Sequence, residues 1–261
     1  MIKVTFLGTG TSQGVPVIGC ACAVCQSSDP HDKRLRTSVM IETQGKIIVI
    51  DTGPDFRQQM LREQVHHDLD KFCVDAILFT HEHKDHIAGL DDVRPFNFRF
   101  QCDMQVYATE RVQQALKREY QYVFTPPFYP GAPLIQLNTI SKDEKFSVED
   151  IDIQPIEVMH ADLPVLGFRF DDFTYLTDVK TISPQEKEKI RGTKTLVLSA
   201  LRQKEHHSHL TLQDALTLAE EFQAEQTYFI HMSHLLGTHE AVSQELPDNV
   251  QLAYDGLKIE I

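Results

Sequence analysis

The chain has 261 residues, 38 of them acidic and 25 basic, giving a formal net charge of −13 at pH 7 with histidine neutral. That balance argues against a general nucleic-acid or membrane-surface binder. With 41% hydrophobic and 24% charged residues, the chain can bury a sizeable core, and the disordered and fibrous classes are excluded. No apolar run approaches the ~18 residues of a membrane span, and the apolar start Met1–Leu7 meets Gly8 too soon for a secretory signal. A soluble cytoplasmic protein is expected.

In chain order, Ile2–Leu7 reads as a β-branched strand running into the turn-rich loop Gly8–Gly14. Strands Ser38–Glu42 and Lys46–Ile50 follow, joined as a hairpin through Thr43-Gln44-Gly45. The second of them ends on Asp51-Thr52-Gly53-Pro54, and Pro54 suits the first turn of a helix reaching about Arg62. Val74–Thr80 reads as a buried strand that delivers His81-Glu82-His83-Lys84-Asp85-His86 onto the loop behind it. Beyond it come a strand Met104–Tyr107, a helix Thr109–Tyr120 and the Pro-rich stretch Thr125–Gly131, then a strand Ile151–Val158 and a hairpin Leu166–Leu176. A charged helix from Ser183-Pro184 to Arg191, a strand Thr195–Leu198, a helix Thr211–Phe222 and a strand Tyr228–Ile230 complete the reading. Strand-helix alternation at both ends with antiparallel hairpins between predicts an α/β fold of two packed sheets covered by helices, a four-layer αββα sandwich. Candidate ligands fall on both sides of the Pro-rich stretch, so it reads as a surface excursion of a single domain, residues 1–261.

Four potential ligands, His81, His83, Asp85 and His86, sit within six residues at a strand end, where one loop can turn them into a shared cleft. Imidazole and carboxylate together suit zinc, manganese or iron. Isolated candidates stand just after other predicted strands: His160, Asp178 and His231. Three of the five cysteines crowd into Cys20-x-Cys22-x-x-Cys25, a spacing that can converge three thiolates on one tetrahedral zinc. A structural site needs a fourth ligand, and His234 is the candidate. Cys73 and Cys102 are isolated and read as packing residues.

Together these positions resemble the metallo-β-lactamase superfamily of binuclear metal hydrolases, over nearly the whole chain. The resemblance implies that His81, His83 and His160 hold one metal, that Asp85, His86 and His231 hold a second, and that Asp178 bridges the two. Asp51 matches the superfamily's supporting carboxylate, which orients a ligand histidine; a strand-end turn aspartate is the competing reading. Two divalent ions, Mn²⁺ or Zn²⁺, can make hydroxide from a shared water and clamp phosphoryl oxygens during an in-line displacement. The cysteine loop, which implies one structural Zn²⁺, and the late His231-Met232-Ser233-His234 make the chain similar to the phosphodiesterase branch. Within that branch it resembles the phosphoribosyl 1,2-cyclic phosphate phosphodiesterases of phosphonate degradation by carbon–phosphorus lyase.

By that resemblance His209, just before a helix, is catalytic, stabilising transition-state charge or protonating the leaving alkoxide; helix capping is the alternative. Asp85 combines ligation with a proton-relay role. Arg94 can bind a phosphate oxygen, against the blander salt bridge to Asp91 or Asp92, which is favoured. The implied substrate is a small, possibly cyclic ribose phosphodiester, with no nucleic acid or membrane partner and a homodimer as the assembly. A transfer-RNA 3′-processing nuclease would carry a basic or Gly/Pro-rich arm that is not visible here. A pyrroloquinoline-quinone biosynthesis protein, whose relatives also carry a cysteine-rich early loop, is the nearer rival.

Overall fold

A computed structural model describes residues 1–261. Its strands are β1 Ile2–Gly8, β2 Ser38–Thr43, β3 Lys46–Ile50, β4 Ala76–Leu78, β5 Met104–Ala108, β6 Ile135–Thr139 and β7 Phe146–Val148. They continue with β8 Ile151–His160, β9 Leu163–Phe170, β10 Phe173–Leu176, β11 Thr195–Ser199, β12 Gln226–Ile230, β13 Val250–Leu252 and β14 Lys258–Glu260. The helices are α1 Ala23–Gln26, α2 Phe56–Glu63, α3 Lys84–Ile87, α4 Arg94–Phe100, α5 Glu110–Glu119, α6 Gln121–Phe124, α7 Pro184–Ile190, α8 Leu212–Phe222 and α9 His239–Ser243.

The strands form two seven-stranded sheets, ordered β14-β1-β2-β3-β4-β5-β6 and β13-β12-β11-β10-β9-β8-β7. Within each, four neighbouring strands run parallel: β3 to β6 in the first and β10 to β13 in the second. The final strand β14 returns to pair antiparallel with β1, Lys3 opposite Glu260, so the two ends of the chain share one sheet.

Side-chain alternation explains the layers. In β3, Ile48 and Ile50 enter the cluster between the sheets with Val4, Phe6, Phe168 and Tyr175, while Ile47 and Val49 face α2 and α5 with Phe56, Met60 and Leu116. In β11, Val197 points to the inter-sheet cluster, whereas Leu196 and Leu198 pack with Ala215, Ala219 and Phe222 of α8. These strands are apolar on both faces because both faces are covered. Each fully buried Ile, Leu or Val is worth about 1.5–3 kcal/mol, and a slip of one residue would exchange the faces, so packing fixes register. The expected four-layer αββα sandwich is what the chain forms.

Helix starts follow local chemistry. Thr109 caps α5 by accepting from the Val112 N–H, Ser183 caps α7 ahead of Pro184, and Thr211 with Asp214 forms a capping box on α8. The Thr125–Gly131 stretch is an exposed excursion between α6 and β6. Strand β4 is shorter than the apolar run Val74–Thr80, because only Ala76–Leu78 keeps partners on both sides. The segment read as one hairpin from Leu166 begins earlier, at Leu163, where β9 pairs with His160 of β8. Cys102 is exposed and Cys73 half-buried, so neither is the core packing residue the sequence indicated.

Candidate metal centres

The histidine-carboxylate cluster gathers at the carboxyl ends of parallel strands, the end at which open α/β sheets bind ligands. Asp51 follows β3, the His81–His86 motif follows β4, Asp178 lies two residues beyond β10, and His231 follows β12. Three of these side chains are aimed by unusual backbone: φ is 62° at Asp51, 53° at Asp178 and 55° at His231. Left-handed backbone at non-glycine residues is uncommon and clusters at functional sites.

Asp178 is the centre. Its Oδ2 lies 3.1 Å from His86 Nε2 and 3.2 Å from His231 Nδ1. Its Oδ1 lies 3.9 Å from His160 Nδ1 and 3.8 Å from His209 Nδ1. Asp85 Oδ2 is 3.3 Å from His86 Nε2. The exposed His83 completes one side, its ring centroid 4.6 Å from that of His81 and 5.3 Å from that of His160. The structure therefore brings together His81, His83, Asp85, His86, His160, Asp178, His209 and His231, which the sequence scatters from position 81 to position 231.

Hydrogen bonds set the tautomers. Asp51 accepts from His86 Nδ1 at 2.6 Å, from the Thr80 N–H at 2.9 Å and from the Thr80 hydroxyl at 2.8 Å. The Thr80 hydroxyl has then spent its proton, so its oxygen accepts from His81 Nδ1 at 3.0 Å. With Nδ1 donating in both rings, Nε2 is the atom each ring turns toward the cleft, the position from which a neutral imidazole ligates a metal. His160 Nδ1 and His209 Nδ1 are buried and unpartnered. Imidazole nitrogens converging with two carboxylates are what a divalent cation satisfies.

Charge tells the same story. Burial penalises a charged His86, yet Asp85, Asp51 and Asp178 around it hold its imidazole well above the usual range. Burial likewise opposes the charge on Asp178, but His231 and His86 hold its carboxyl well below the usual range. The cluster is short of positive charge, and a metal ion meets the same demand as a proton on His86. His209 differs: burial first, then the charge of His231, push it down to about 2, so its ring stands neutral.

The second cluster staples distant segments. Sγ of Cys20, Cys22 and Cys25 lie 3.2, 3.4 and 3.6 Å from His234 Nδ1. Backbone N–H groups of Cys25 and Val17 donate to the sulfurs of Cys22 and Cys25 at 3.5 and 3.3 Å, the support a thiolate uses. Hydrogen bonding from Cys25 N–H first, then from His234, lowers Cys22 to about 6. Three soft sulfurs and one imidazole within 4.8 Å of one another fit tetrahedral zinc. Met232 bridges the Thr9–Thr11 segment, its N–H donating to the Thr9 carbonyl at 2.9 Å and its carbonyl accepting from the Thr11 N–H at 3.1 Å, and this pairing carries the cluster alongside His231.

Other expectations sort by geometry. Asp51 is the orienting carboxylate and not merely a turn former. Thr211, not His209, caps α8, and the His209 ring is buried 4.4 Å from that of His160. Arg94 pairs with Asp91 and donates to the Gly131 carbonyl, the salt bridge the sequence favoured. Sequence reasoning missed Thr80 and Thr177, each immediately before a candidate ligand; the Thr177 hydroxyl donates to Asp178 at 2.8 Å. It also missed Lys180, whose Nζ donates to the carbonyls of His206 and His209 at 2.8 and 3.4 Å and so holds the His209 loop.

Residues 46–232 match the family model of the beta-lactamase superfamily domain, and the chain belongs to the metallo-β-lactamase superfamily. A solved structure of a diphosphatase from the PhnP family is 42% identical, with a TM-score of 0.91 over 100% of this chain and 98% of that one. This chain is thus a metallo-β-lactamase superfamily domain related to that family. An octanoyltransferase of Porphyromonas gingivalis is 39% identical over 259 residues, 98% of this chain but 51% of that protein, so the chain spans about half the relative's length. Zinc-bound PqqB from Methylobacterium extorquens, 17% identical, shares the fold with a TM-score of 0.80 over 99% of this chain and 100% of that one. No helix is long and apolar enough to cross a membrane.

Proposed function

We propose that the chain hydrolyses a small phosphate diester using two divalent ions, Mn²⁺ or Zn²⁺, with a third, structural Zn²⁺ in the cysteine cluster. The carrying observation is the set of buried, unpartnered imidazole nitrogens converging on Asp178. His81, His83 and His160 would hold one ion, Asp85, His86 and His231 the other, with Asp178 between them. Bound there, such ions supply a nucleophilic water near neutral pH and neutralise phosphoryl oxygens.

The chain's own residues supply the rest. Asp51 and Thr80 fix the orientations of His86 and His81, so that Nε2 of each ring faces the cleft. Asp85, at the rim of the cluster, takes the proton of the attacking water. His209, held by the Lys180 ammonium through its own carbonyl, stands with a neutral ring that can donate a hydrogen bond to the negative charge developing in the transition state. A ring-closed ribose phosphate and an esterified diphosphate present the same reaction centre, a phosphorus with one bridging oxygen to displace, and the diphosphatase relative favours including the second.

The octanoyltransferase relative favours one second reading, an octanoyl thioester as substrate. The octanoyl-transfer activity of that protein can reside in the half that this chain does not match. A panel of bis-p-nitrophenyl phosphate, ribose cyclic phosphates, dinucleoside diphosphates and an octanoyl thioester separates the readings. Turnover of the phosphorus substrates supports the proposal, and turnover of the thioester alone replaces it with the second reading.

A further inference from the structure

Cys73 and Cys102 lie outside both metal-type clusters. Cys73 precedes Ala76, the first residue of β4, by three positions, and Cys102 precedes Gln105 of β5 by three. Ala76 and Gln105 are partners in the parallel β4–β5 register. The two cysteines therefore stand at the same offset from this partnered pair, in the segments that lead into two neighbouring parallel strands. Neighbouring strands run about 4.7–4.9 Å apart, inside the range of about 4.4–6.8 Å between Cα atoms that a disulfide bridges. The sulfurs sense each other: burial first, then the facing Cys102 thiol, push Cys73 up to about 12. Cys102 is exposed, whereas Cys73 is half-buried.

We propose that Cys73 and Cys102 form a reversible disulfide on reaction with a small disulfide oxidant of the oxidised-glutathione class. Exposed Cys102 attacks first: its thiolate displaces one glutathione thiolate and leaves a mixed disulfide on Cys102. Cys73 then gives its proton to solvent and attacks the Cys102 sulfur, and the second glutathione leaves as a thiolate that takes up a proton. The protein loses two hydrogens, and one oxidised glutathione becomes two reduced ones. The closed segment 73–102 contains His81, His83, Asp85 and His86, so the bond ties together the two strand entries that flank the metal motif.

The test is incubation of the full chain with oxidised glutathione, followed by peptide mass mapping without reductant and a thermal melt. Expected are a linked Cys73–Cys102 peptide about 2 Da lighter than the two free ones, its reversal by dithiothreitol, and a higher Tm for the linked form. Cys73→Ser should keep a stable glutathione adduct on Cys102, and Cys102→Ser should leave Cys73 unmodified. Accumulation of the Cys102 adduct in the unsubstituted chain with no linked peptide would overturn the proposal. This outcome is independent of the substrate and of the metals in the paired site.

Discussion

Asp51 accepts the Nδ1 hydrogen of His86 at 2.6 Å while its own backbone holds a left-handed φ of 62°. The strand-end strain aims the carboxylate, and the carboxylate decides which nitrogen of His86 faces the cleft. Replacing Asp51 by Ala should therefore weaken metal binding at the paired site by about 10–100-fold, the usual effect of losing such a supporting group. Competition with a metal-sensitive dye measures it, and an unchanged affinity would show that His86 does not depend on Asp51.

Gly53 and the motif helix are in closest approach. A Cβ at Gly53 would lie 2.1 Å from the Asp85 carbonyl oxygen, and Thr52 N–H donates to the His86 carbonyl at 2.8 Å. Gly53→Ala must push α3 outward, at about 1–3 kcal/mol of overpacking cost. A lowered Tm together with weakened metal binding is expected. Full retention of both would mean the helix yields without moving its ligands.

How far the sequence shows this site depends on how local the signal is. The His81–His86 motif is legible because one strand end delivers four ligands, and Cys20, Cys22 and Cys25 are legible by spacing alone. Asp178 and His231 are single residues whose left-handed backbone has no mark in composition, since glycine is the residue that normally announces positive φ. They become visible only through the family pattern. Strands β13 and β14 have three residues each, too short for a period of two to register, and β6 alternates weakly because it lies at the sheet edge. The matching offset of Cys73 and Cys102 depends on which strands are neighbours, and so it stays hidden until the sheet order is seen.

His209 and Thr211 divide two roles that sequence leaves joined. Thr211→Ala should cost about 1 kcal/mol through loss of the α8 cap, with little change in phosphodiesterase rate. His209→Ala should lose about 10²–10³-fold in kcat, the effect of removing one donor to the transition-state charge, while keeping its metals. Equal rates for His209→Ala and the unsubstituted chain would reduce that residue to packing.

His239 carries a pH signature away from the metal ligands. Its ring stacks on His31 at 4.8 Å between centroids, and Arg34, Asp29 and Asp32 face it. Burial first, then the charges of His31 and Arg34, push it down to about 4. An unfolded His239 takes its proton near pH 6.5. The neutral ring therefore contributes stability that is fully present above pH 6.5 and is lost as pH falls toward 4. Thermal melts between pH 7 and pH 5 should fall less steeply in His239→Gln, and an identical slope would exclude this group as the cause.

The cysteine cluster predicts a separable metal. Cys22→Ser should remove one zinc per chain, lower the Tm and loosen the contact between the 9–37 loop and the 231–239 segment, leaving the paired ions in place. Elemental analysis before and after substitution checks it, and an unchanged zinc content would dismiss the structural site.

The most direct test of the central claim is a metal titration of the stripped, zinc-stapled chain followed by the rate on bis-p-nitrophenyl phosphate and on small cyclic phosphates. Turnover should rise with added manganese, reach its plateau at about two equivalents and disappear in Asp178→Ala. Two bound ions with no turnover of any phosphate diester would contradict it.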